Sequence, residues 1–217
     1  MDAKELIARR VAREVRPGSL VNLGIGLPSM VANFVPAGLG VFFQAENGVI
    51  GLGARPPEGM EDRHLTDAGG GFVTAVPGAA SIDSAMSFGL IRGGHLDMTV
   101  LGGLQVDEAG HLANWKVPGK MVPGMGGAMD LVTGAARVIV AMQHAAKGQS
   151  KIVPKLTLPL TALRRVDLIV TDLAVIEPTD AGLVLREHAP GVTLDEIIAA
   201  TEATLIIQGD VPEMMLI

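Results

Sequence analysis

Residues 20–28 read Leu-Val-Asn-Leu-Gly-Ile-Gly-Leu-Pro, which is the pattern of a buried strand entering a helix. An apolar run of strand length leads into two closely spaced glycines, and a proline stands where the first turn of a helix would begin. Units of this kind build parallel sheets. The backbone N–H groups around Gly24 and Gly26 would be open to an anion or a carbonyl oxygen. A tight turn without any ligand would need the same residues.

Similar apolar runs recur along the chain, and most are bounded by glycine, proline or aspartate. Strands are predicted at residues 20–23, 41–43, 72–76, 98–101, 138–142 and 168–171, with a hairpin formed by 174–176 and 183–185. Helices are predicted between residues 2 and 17, at 28–34, 84–91 and 160–166, and from 193 to about 203. This alternation predicts an α/β fold in which helices cover a mainly parallel sheet, as a single domain over residues 1–217.

The composition limits the classes of function. Of the 217 residues, 48% are hydrophobic and only 3% are aromatic, so we expect an ordered core of aliphatic side chains. The net charge is −6 and the 17 lysines and arginines are scattered, which argues against a nucleic-acid partner. Cysteine is absent, which excludes a disulfide and a thiolate nucleophile. The five histidines lack the spacing of metal ligands, so no metal is expected.

Two stretches bear on location. Residues 17–45 carry no charge, but glycine, proline and asparagine interrupt them at short intervals, so we expect a buried segment and no membrane span. The first five residues mix acidic and basic side chains before a helical pattern, which fits neither a secretory signal nor a transit peptide. We therefore expect a cytoplasmic protein.

Glu46 is the most informative single residue. It follows the apolar run 41–43 and precedes Asn47 and Gly48, in a neighbourhood with almost no charge. A carboxylate at the end of a buried strand is costly to desolvate, which favours a catalytic role. Asn-Gly is also a common turn pair, so a solvated turn carboxylate would have the same sequence. The residues alone leave both interpretations open.

A second glycine pair, Gly126-Gly127, lies in the run Met-Gly-Gly-Ala-Met-Asp at residues 125–130. Its exposed N–H groups would suit an oxyanion, and the alternative is a loop that needs positive φ angles. The serines show no Gly-x-Ser-x-Gly nucleophile elbow. The glycine pair is therefore a second candidate for the site.

Taken in order, six segments resemble the β subunit of family I coenzyme A-transferases, of the 3-oxoacid or acetate/acetoacetate type. They are residues 21–26 (VNLGIG), 46–48 (ENG), 90–95 (LIRGGH), 112–115 (LANW), 117–130 (VPGKMVPGMGGAMD) and 158–161 (LPLT). Because their order and spacing extend over nearly the whole chain, the resemblance is more specific than any one motif.

The resemblance implies an α/β subunit that pairs with a separate α subunit, usually as α2β2. It implies that Glu46 is the nucleophile and that Gly127 is an oxyanion donor. The expected substrate-binding and oxyanion residues are Asn22, Gly24, Gly26, Asn47 and Gly127. The implied substrates are an acyl-CoA and a short carboxylic acid, and no tightly bound cofactor is expected.

A glutamate suits such a reaction because the enzyme-bound intermediate must preserve the energy of a thioester. Attack by the carboxylate gives a mixed anhydride, and the released thiolate then forms a glutamyl-CoA thioester. Both intermediates would hydrolyse in water, so we expect a dry pocket. Donors such as Asn22, Asn47 or backbone amides should keep the carboxylate ionised.

Two departures from the family pattern are visible. Ala45 stands where the family usually has serine, and we expect this change to remove a hydroxyl contact near the nucleophile. Asp67 stands where relatives often have asparagine, which leaves coenzyme A contacts there open. The alternative functions are a non-catalytic acyl-CoA-binding module and an acyl-CoA hydrolase on the same fold.

Overall fold

The computed structural model describes residues 1–119 and 125–217, and its main element is a ten-stranded sheet. The strands are β1 Leu20–Leu23, β2 Phe42–Ala45, β3 Val49–Leu52, β4 Ala75–Ser81, β5 Met98–Leu101, β6 Gln105–Asp107, β7 Leu112–Ala113, β8 Arg137–Ala141, β9 Ala145–Ala146, β10 Gln149–Ser150, β11 Ile152–Val153, β12 Leu168–Val170, β13 Ala174–Thr179, β14 Gly182–His188 and β15 Leu205–Ile206. The helices are α1 Ala3–Ala12, α2 Ser84–Arg92, α3 Ala128–Gly134 and α4 Leu194–Ala200, with 3₁₀ helices at Leu27–Phe34 and Ala37–Leu39.

The order of the large sheet is β15-β14-β13-β12-β8-β5-β1-β2-β3-β4. The five central strands, β12 to β2, are all parallel. Antiparallel pairs flank them, with β13 and β14 on one side and β3 and β4 on the other. The predicted α/β fold with a mainly parallel sheet is thus confirmed. The carboxyl ends of the central strands meet at one edge, where α/β proteins commonly bind ligands.

Side chains of the central strands alternate between two aliphatic cores. Val138 and Val140 of β8 pack in the core that also receives α2, α3 and α4. Ile139 and Ala141 of the same strand pack with α1 and the 3₁₀ helix Leu27–Phe34. Because successive residues of a strand point to opposite faces, a continuous apolar run is what a strand covered on both faces requires.

Helix starts follow the local sequence more closely than helix ends. The Asp2 carboxylate accepts a hydrogen bond from the Glu5 amide over 2.8 Å, and Thr193 and Glu196 form the predicted capping box of α4. Helices α1 and α4 end a few residues earlier than predicted, at Ala12 and Ala200. None of the helices within residues 1–119 and 125–217 combines the length and the apolar character needed to cross a bilayer.

Two predicted elements are wrong or displaced. Residues 160–166 form no helix, because their backbone bonds to another segment: the Thr161 amide donates to Leu112 and the Val166 amide to Gly110. The strand predicted at 72–76 begins later, as β4 at Ala75, because Phe72 instead forms a bridge with Thr66. In both cases a partner distant in sequence determines the backbone conformation.

Candidate active site

Glu46 opens the turn that joins β2 to β3 at the carboxyl edge of the central strands. The Gly48 amide closes the turn by donating to the Ala45 carbonyl over 3.0 Å. Gly48 has a φ of 120°, and a Cβ there would lie 2.0 Å from the carbonyl oxygen of Ile82, so this position requires glycine. The Asn-Gly turn is therefore present, and it leaves the Glu46 side chain half-buried.

The start of α3 approaches this carboxylate from a part of the chain 81 residues away. The backbone amide of Gly127 is 3.5 Å from Oε1 of Glu46, a long hydrogen bond. A Cβ on Gly127 would lie 3.3 Å from the ring of Phe88 and 3.4 Å from Cγ of Glu46. The structure thus brings two of the predicted site residues together, and the missing side chain at 127 permits the close approach.

Four buried polar residues, one of them on the strand that leads into this turn, form a continuous chain of hydrogen bonds, here named the amide network: Thr99, Asn22, Gln44 and Ser87. Asn22 on β1 lies opposite Gln44 on β2 and Thr99 on β5, and Ser87 lies on α2. All four are at most 1% exposed. Sequence reasoning identified only Asn22, since the other three carry no motif. The one available signal was a glutamine inside an apolar strand.

The two asparagines predicted at the site make other contacts. The Nδ2 of Asn22 donates to the carbonyl oxygen of Gln44 over 3.1 Å and to its Oε1 over 2.9 Å. The exposed Asn47 donates from Nδ2 to the Thr66 carbonyl over 2.8 Å. Among the described residues, the donor that reaches Glu46 is therefore the Gly127 amide. The roles of Asn22 and Asn47 toward a substrate stay predictions.

A cleft of about 140 Å³ lies on the other side of β2. It is lined by Leu23, Gly24, Ile25, Gly26, Ser29, Ala32, Phe43, Ala45, Leu52, Gly53, Asp67, Ala68, Gly69 and Val73. Gly24 packs against β5, since a Cβ there would lie 3.1 Å from the Val100 carbonyl oxygen, and Gly26 has a φ of 85°. Gly24 and Gly26 therefore line the cleft and do not contact Glu46, unlike Gly127.

Ala45 belongs to this cleft. Its neighbour Gln44 points toward α2, where its Nε2 donates to the Ser87 hydroxyl, so strand alternation turns Ala45 away from α2. The Glu46 carboxylate lies on the α2 side, near Phe88 and Gly127. The expectation that Ala45 removes a contact near the nucleophile is therefore corrected: a serine hydroxyl at this position would face the cleft.

Asp67 shapes the cleft wall. Its Oδ1 accepts hydrogen bonds from the amides of Gly69 and Gly71, each over 2.8 Å, which folds residues 67–71 into a compact turn. Among the described residues that line the cleft, Asp67 alone is charged. Apart from Asp67 and Ser29 the lining side chains are apolar, which suits an uncharged group that can offer a hydrogen-bond donor.

Large apolar side chains are exposed on segments that border the cleft and the Glu46 turn. They are Ile25, Phe72, Met86 and Met125, with exposed fractions between 37% and 70%. An ion pair between Arg92 and Asp130, at 2.7 Å, links α2 to α3.

Two further predictions concern metal ions and the segment 117–130. The part of the chain that the structure describes contains no group of three His, Asp or Glu residues placed to bind a metal ion. Residues 120–124 of the segment 117–130, which helps to carry the resemblance, lie outside the described residues.

The sequence matches the Coenzyme A transferase family over residues 4–200. The chain belongs to the coenzyme A transferase family. The resemblance seen in the six segments is therefore confirmed, and the enzyme class with it.

Relatives within the coenzyme A transferase family carry more than one name. The chain is 55% identical over 217 residues to the β subunit of the acetate CoA-transferase from Haemophilus influenzae, with 100% of this chain and 97% of the relative covered. It is 50% identical over 201 residues to one subunit of the succinyl-CoA:3-ketoacid coenzyme A transferase from Helicobacter pylori, at 92% and 97% coverage. Identity at this level is high for both types.

The fold is shared with the acyl-CoA transferase YdiF from Escherichia coli O157:H7. The apoenzyme superposes with a TM-score of 0.80 at 26% identity, and the thioester complex with CoA superposes with a TM-score of 0.79 at 24% identity. In both, 99% of this chain is covered, but the chain spans only 43% of the length of YdiF. YdiF therefore holds this fold within a chain more than twice as long.

Proposed function

We propose that this chain is the β subunit of a CoA-transferase that moves coenzyme A between an acyl-CoA and a short 3-oxoacid such as acetoacetate, with Glu46 as the nucleophile. The acyl-CoA is acetyl-, butyryl- or succinyl-CoA. The observation that carries the proposal is the contact between the Glu46 carboxylate and the Gly127 amide, which joins a half-buried carboxylate to a backbone donor.

The chemistry proceeds in two exchanges. An Oε of Glu46 attacks the thioester carbonyl of the donor, and the C–S bond breaks to give a glutamyl anhydride and the CoA thiolate. The thiolate then attacks the glutamyl carbonyl, the donor carboxylate leaves, and a glutamyl-CoA thioester remains. The acceptor carboxylate repeats both steps in reverse order, so coenzyme A is transferred without net hydrolysis.

The proposed roles of the other residues follow from their positions. The Gly127 amide donates to the oxyanion of each tetrahedral intermediate, which for a single donor is typically worth about 3 kcal/mol. Gly24 and Gly26 line the cleft on the far side of β2, and we assign them to contacts with coenzyme A. Asn22 and Asn47 stabilise the surroundings of the Glu46 turn through Gln44 and Thr66.

The proposed partner is a separate α subunit, in an α2β2 assembly. Two observations support it: the relatives quoted above are named as subunits, and YdiF has the same fold in less than half of its chain. The exposed apolar side chains Ile25, Phe72, Met86 and Met125 provide the surface that the partner would cover. The domain boundaries 1–217 and the cytoplasmic location belong to the same proposal.

The central experiment tests the covalent step. The chain is purified together with its α subunit, incubated with an acyl-CoA and reduced with borohydride, and the peptide that contains residue 46 is analysed by mass spectrometry. We expect modification at Glu46. Exchange activity without any modification there would overturn the assignment.

Substitution gives a second arm. Glu46→Gln should lower kcat by roughly a thousandfold or more while assembly is unchanged, because the amide cannot act as a nucleophile. The matched control is Glu58→Gln, which makes the same charge change at an exposed position and should leave kcat unchanged. Full activity in Glu46→Gln would refute the proposal.

A third arm separates transfer from hydrolysis and from simple binding. Thioester loss is measured with and without acetate, butyrate, acetoacetate or succinate as acceptor. Transfer requires the acceptor, whereas a hydrolase consumes acyl-CoA without it and a binding module consumes none. The acceptor that gives the highest kcat/KM identifies the acid pair.

A further inference from the structure

We propose that Gln44 is a positioning residue, which holds Glu46 at the correct distance from Gly127 through the amide network. The inference rests on the proposed role of Glu46 and deepens it. It is carried by the contacts of four buried side chains, of which Gln44 is the central member.

The network has one consistent direction of donation. The Thr99 hydroxyl donates to Oδ1 of Asn22 over 3.1 Å, Nδ2 of Asn22 donates to Oε1 of Gln44 over 2.9 Å, and Nε2 of Gln44 donates to the Ser87 hydroxyl over 2.9 Å. The main-chain carbonyl of Gln44 can only accept, so its bond from Nδ2 fixes the orientation of the Asn22 amide and, through it, that of the Gln44 amide. A buried polar chain that is fully satisfied makes its surroundings rigid.

The network contacts the backbone of Gln44 as well as its side chain. Nδ2 of Asn22 also donates to the main-chain carbonyl of Gln44 over 3.1 Å. This contact lies two residues before Glu46, at the end of β2. Asn22 therefore fixes the strand from which the Glu46 turn starts.

The other end of the network fixes the opposite wall of the site. Ser87 precedes Phe88 on α2, and the Phe88 ring lies against Gly127, 3.3 Å from where a Cβ would stand. One turn later, Arg92 of α2 pairs with Asp130 of α3 at 2.7 Å. The Gln44–Ser87 hydrogen bond thus ties the strand that carries Glu46 to the helix that supports Gly127. The 3.5 Å separation between Glu46 and Gly127 depends on that tie.

Packing alone does not explain four polar side chains at this place. The same strands are otherwise filled by aliphatic residues such as Val21 and Val100, both fully buried. Buried amides and hydroxyls cost free energy unless each finds a partner, and an apolar core would avoid the risk. Polar residues give directional contacts that aliphatic ones cannot, and here they hold Gln44, two residues before the carboxylate whose position matters.

The test uses the assembled enzyme and two substitutions in the network. Ser87→Ala removes the acceptor of Gln44 Nε2, and Gln44→Met removes the amide at nearly constant volume. We expect each to lower kcat roughly tenfold, with KM within about twofold, because Glu46 is misplaced while substrate binding is kept. The rate of borohydride-trapped modification at Glu46 should fall by the same factor, and Ser87→Thr, which keeps the hydroxyl, should restore most of it.

The controls separate positioning from stability. Thr201→Val removes a hydroxyl that contacts His144, outside the amide network, and should lower Tm with kcat unchanged. Ser84→Ala changes an exposed serine of the same helix and should change neither. A fall in Tm for Ser87→Ala and Gln44→Met with kcat at the wild-type value would overturn the proposal.

Two more arms complete the design. If Ser87→Ala or Gln44→Met does not assemble, Thr99→Val removes only the far end of the network, and unchanged kcat there refutes the inference while a roughly threefold loss supports it. Glu46→Gln is measured in parallel. Retained activity in Glu46→Gln refutes the proposed function itself, whereas an inactive Glu46→Gln beside a fully active Ser87→Ala refutes the positioning role alone.

Discussion

Two polar clusters involve the central strands or the residues that follow them, and they differ in what they adjoin. The amide network includes Gln44, which lies two residues before the half-buried Glu46. The other, here named the histidine cluster, consists of His144, Thr171 and Thr201: the ring nitrogens of His144 lie 2.9 Å from the Thr171 hydroxyl and 2.8 Å from the Thr201 hydroxyl. His144 is 1% exposed and Thr171 is fully buried, whereas Thr201 is partly exposed.

The chemical nature of the two clusters also differs. Burial lowers the pKa of His144 to about 4, against the opposing attraction of Asp172, so the ring is neutral near pH 7. The amide network contains no group that titrates in this range. Amides and hydroxyls can therefore orient the strand of Glu46 without placing a charge beside the carboxylate. The histidine cluster connects the segments after β8 and β12 to the end of α4, and we interpret its role as structural stabilisation.

The largest effect expected on stability concerns the histidine cluster and its response to pH. The pKa of His144 is about 4 in the folded chain and near 6.5 when unfolded, so the unfolded state binds an extra proton between these values. Stability from this group is fully present above pH 6.5, falls as the pH drops toward 4, and changes no further below that. The loss is about 3 kcal/mol in the free energy of unfolding, measured by urea titration at several pH values.

The matched variant for that measurement is His144→Gln, which cannot titrate. Its stability should be lower at pH 7, and its slope against pH should lack the component between pH 6.5 and 4. An identical slope in both proteins would show that His144 is not the group responsible. Two charged residues contact the backbone of His144, namely Asp172 and Lys151, and both are unchanged in this comparison. Burial lowers the pKa of Lys151.

The second prediction concerns Gly127, whose distance from Glu46 the amide network is proposed to maintain. Gly127→Ala should lower kcat about tenfold, equivalent to about 1.4 kcal/mol, because the new Cβ would press on Phe88 and on Cγ of Glu46. Tm should change little, since the φ of Gly127 is −85°, outside the left-handed region that favours glycine. The control is Gly38→Ala, where no atom lies within 4 Å of the added Cβ. Unchanged kcat in Gly127→Ala would contradict the close approach.

The smallest expected effect concerns Ala45, which lies on the cleft side of β2 and belongs to neither cluster. Ala45→Ser should change kcat by less than about twofold, because the hydroxyl would face the cleft and not the carboxylate. Any effect should appear in KM for the acyl-CoA. Initial rates at varied acyl-CoA concentration measure both. A tenfold rise in kcat would show instead that the hydroxyl reaches Glu46.

Local sequence rules predicted the parts of the fold that depend on neighbouring residues. Strands β1 and β5 have the predicted bounds, and the capping box of α4 is present, because each follows from residues within a few positions. The helix predicted at residues 160–166 does not form, because the backbone partners of this segment lie around Leu112 and Gly110. No pattern within the segment itself reveals such a partner.

The candidate site divides in the same way. Glu46 and Gly127 were named because short motifs resemble a known family, and the fold places them in contact. Gln44, Ser87 and Thr99 were missed because their relation exists only through the register of β5, β1 and β2. The consequence of Ala45 was misjudged for a similar reason, since the direction of a side chain depends on which face of the strand meets α2.

The contacts between Gly48 and Ile82 have a consequence for motion at the site. The Ile82 amide donates to the Gly48 carbonyl over 2.9 Å, and the Ile82 carbonyl occupies the space of a Cβ at Gly48. The turn of Glu46 therefore moves together with the residues that lead into α2, as one body. The same helix contacts Gly127 through Phe88 and α3 through the Arg92–Asp130 ion pair. A change in the gap between Glu46 and Gly127 during a catalytic cycle would therefore have to alter the packing of α3 against α2.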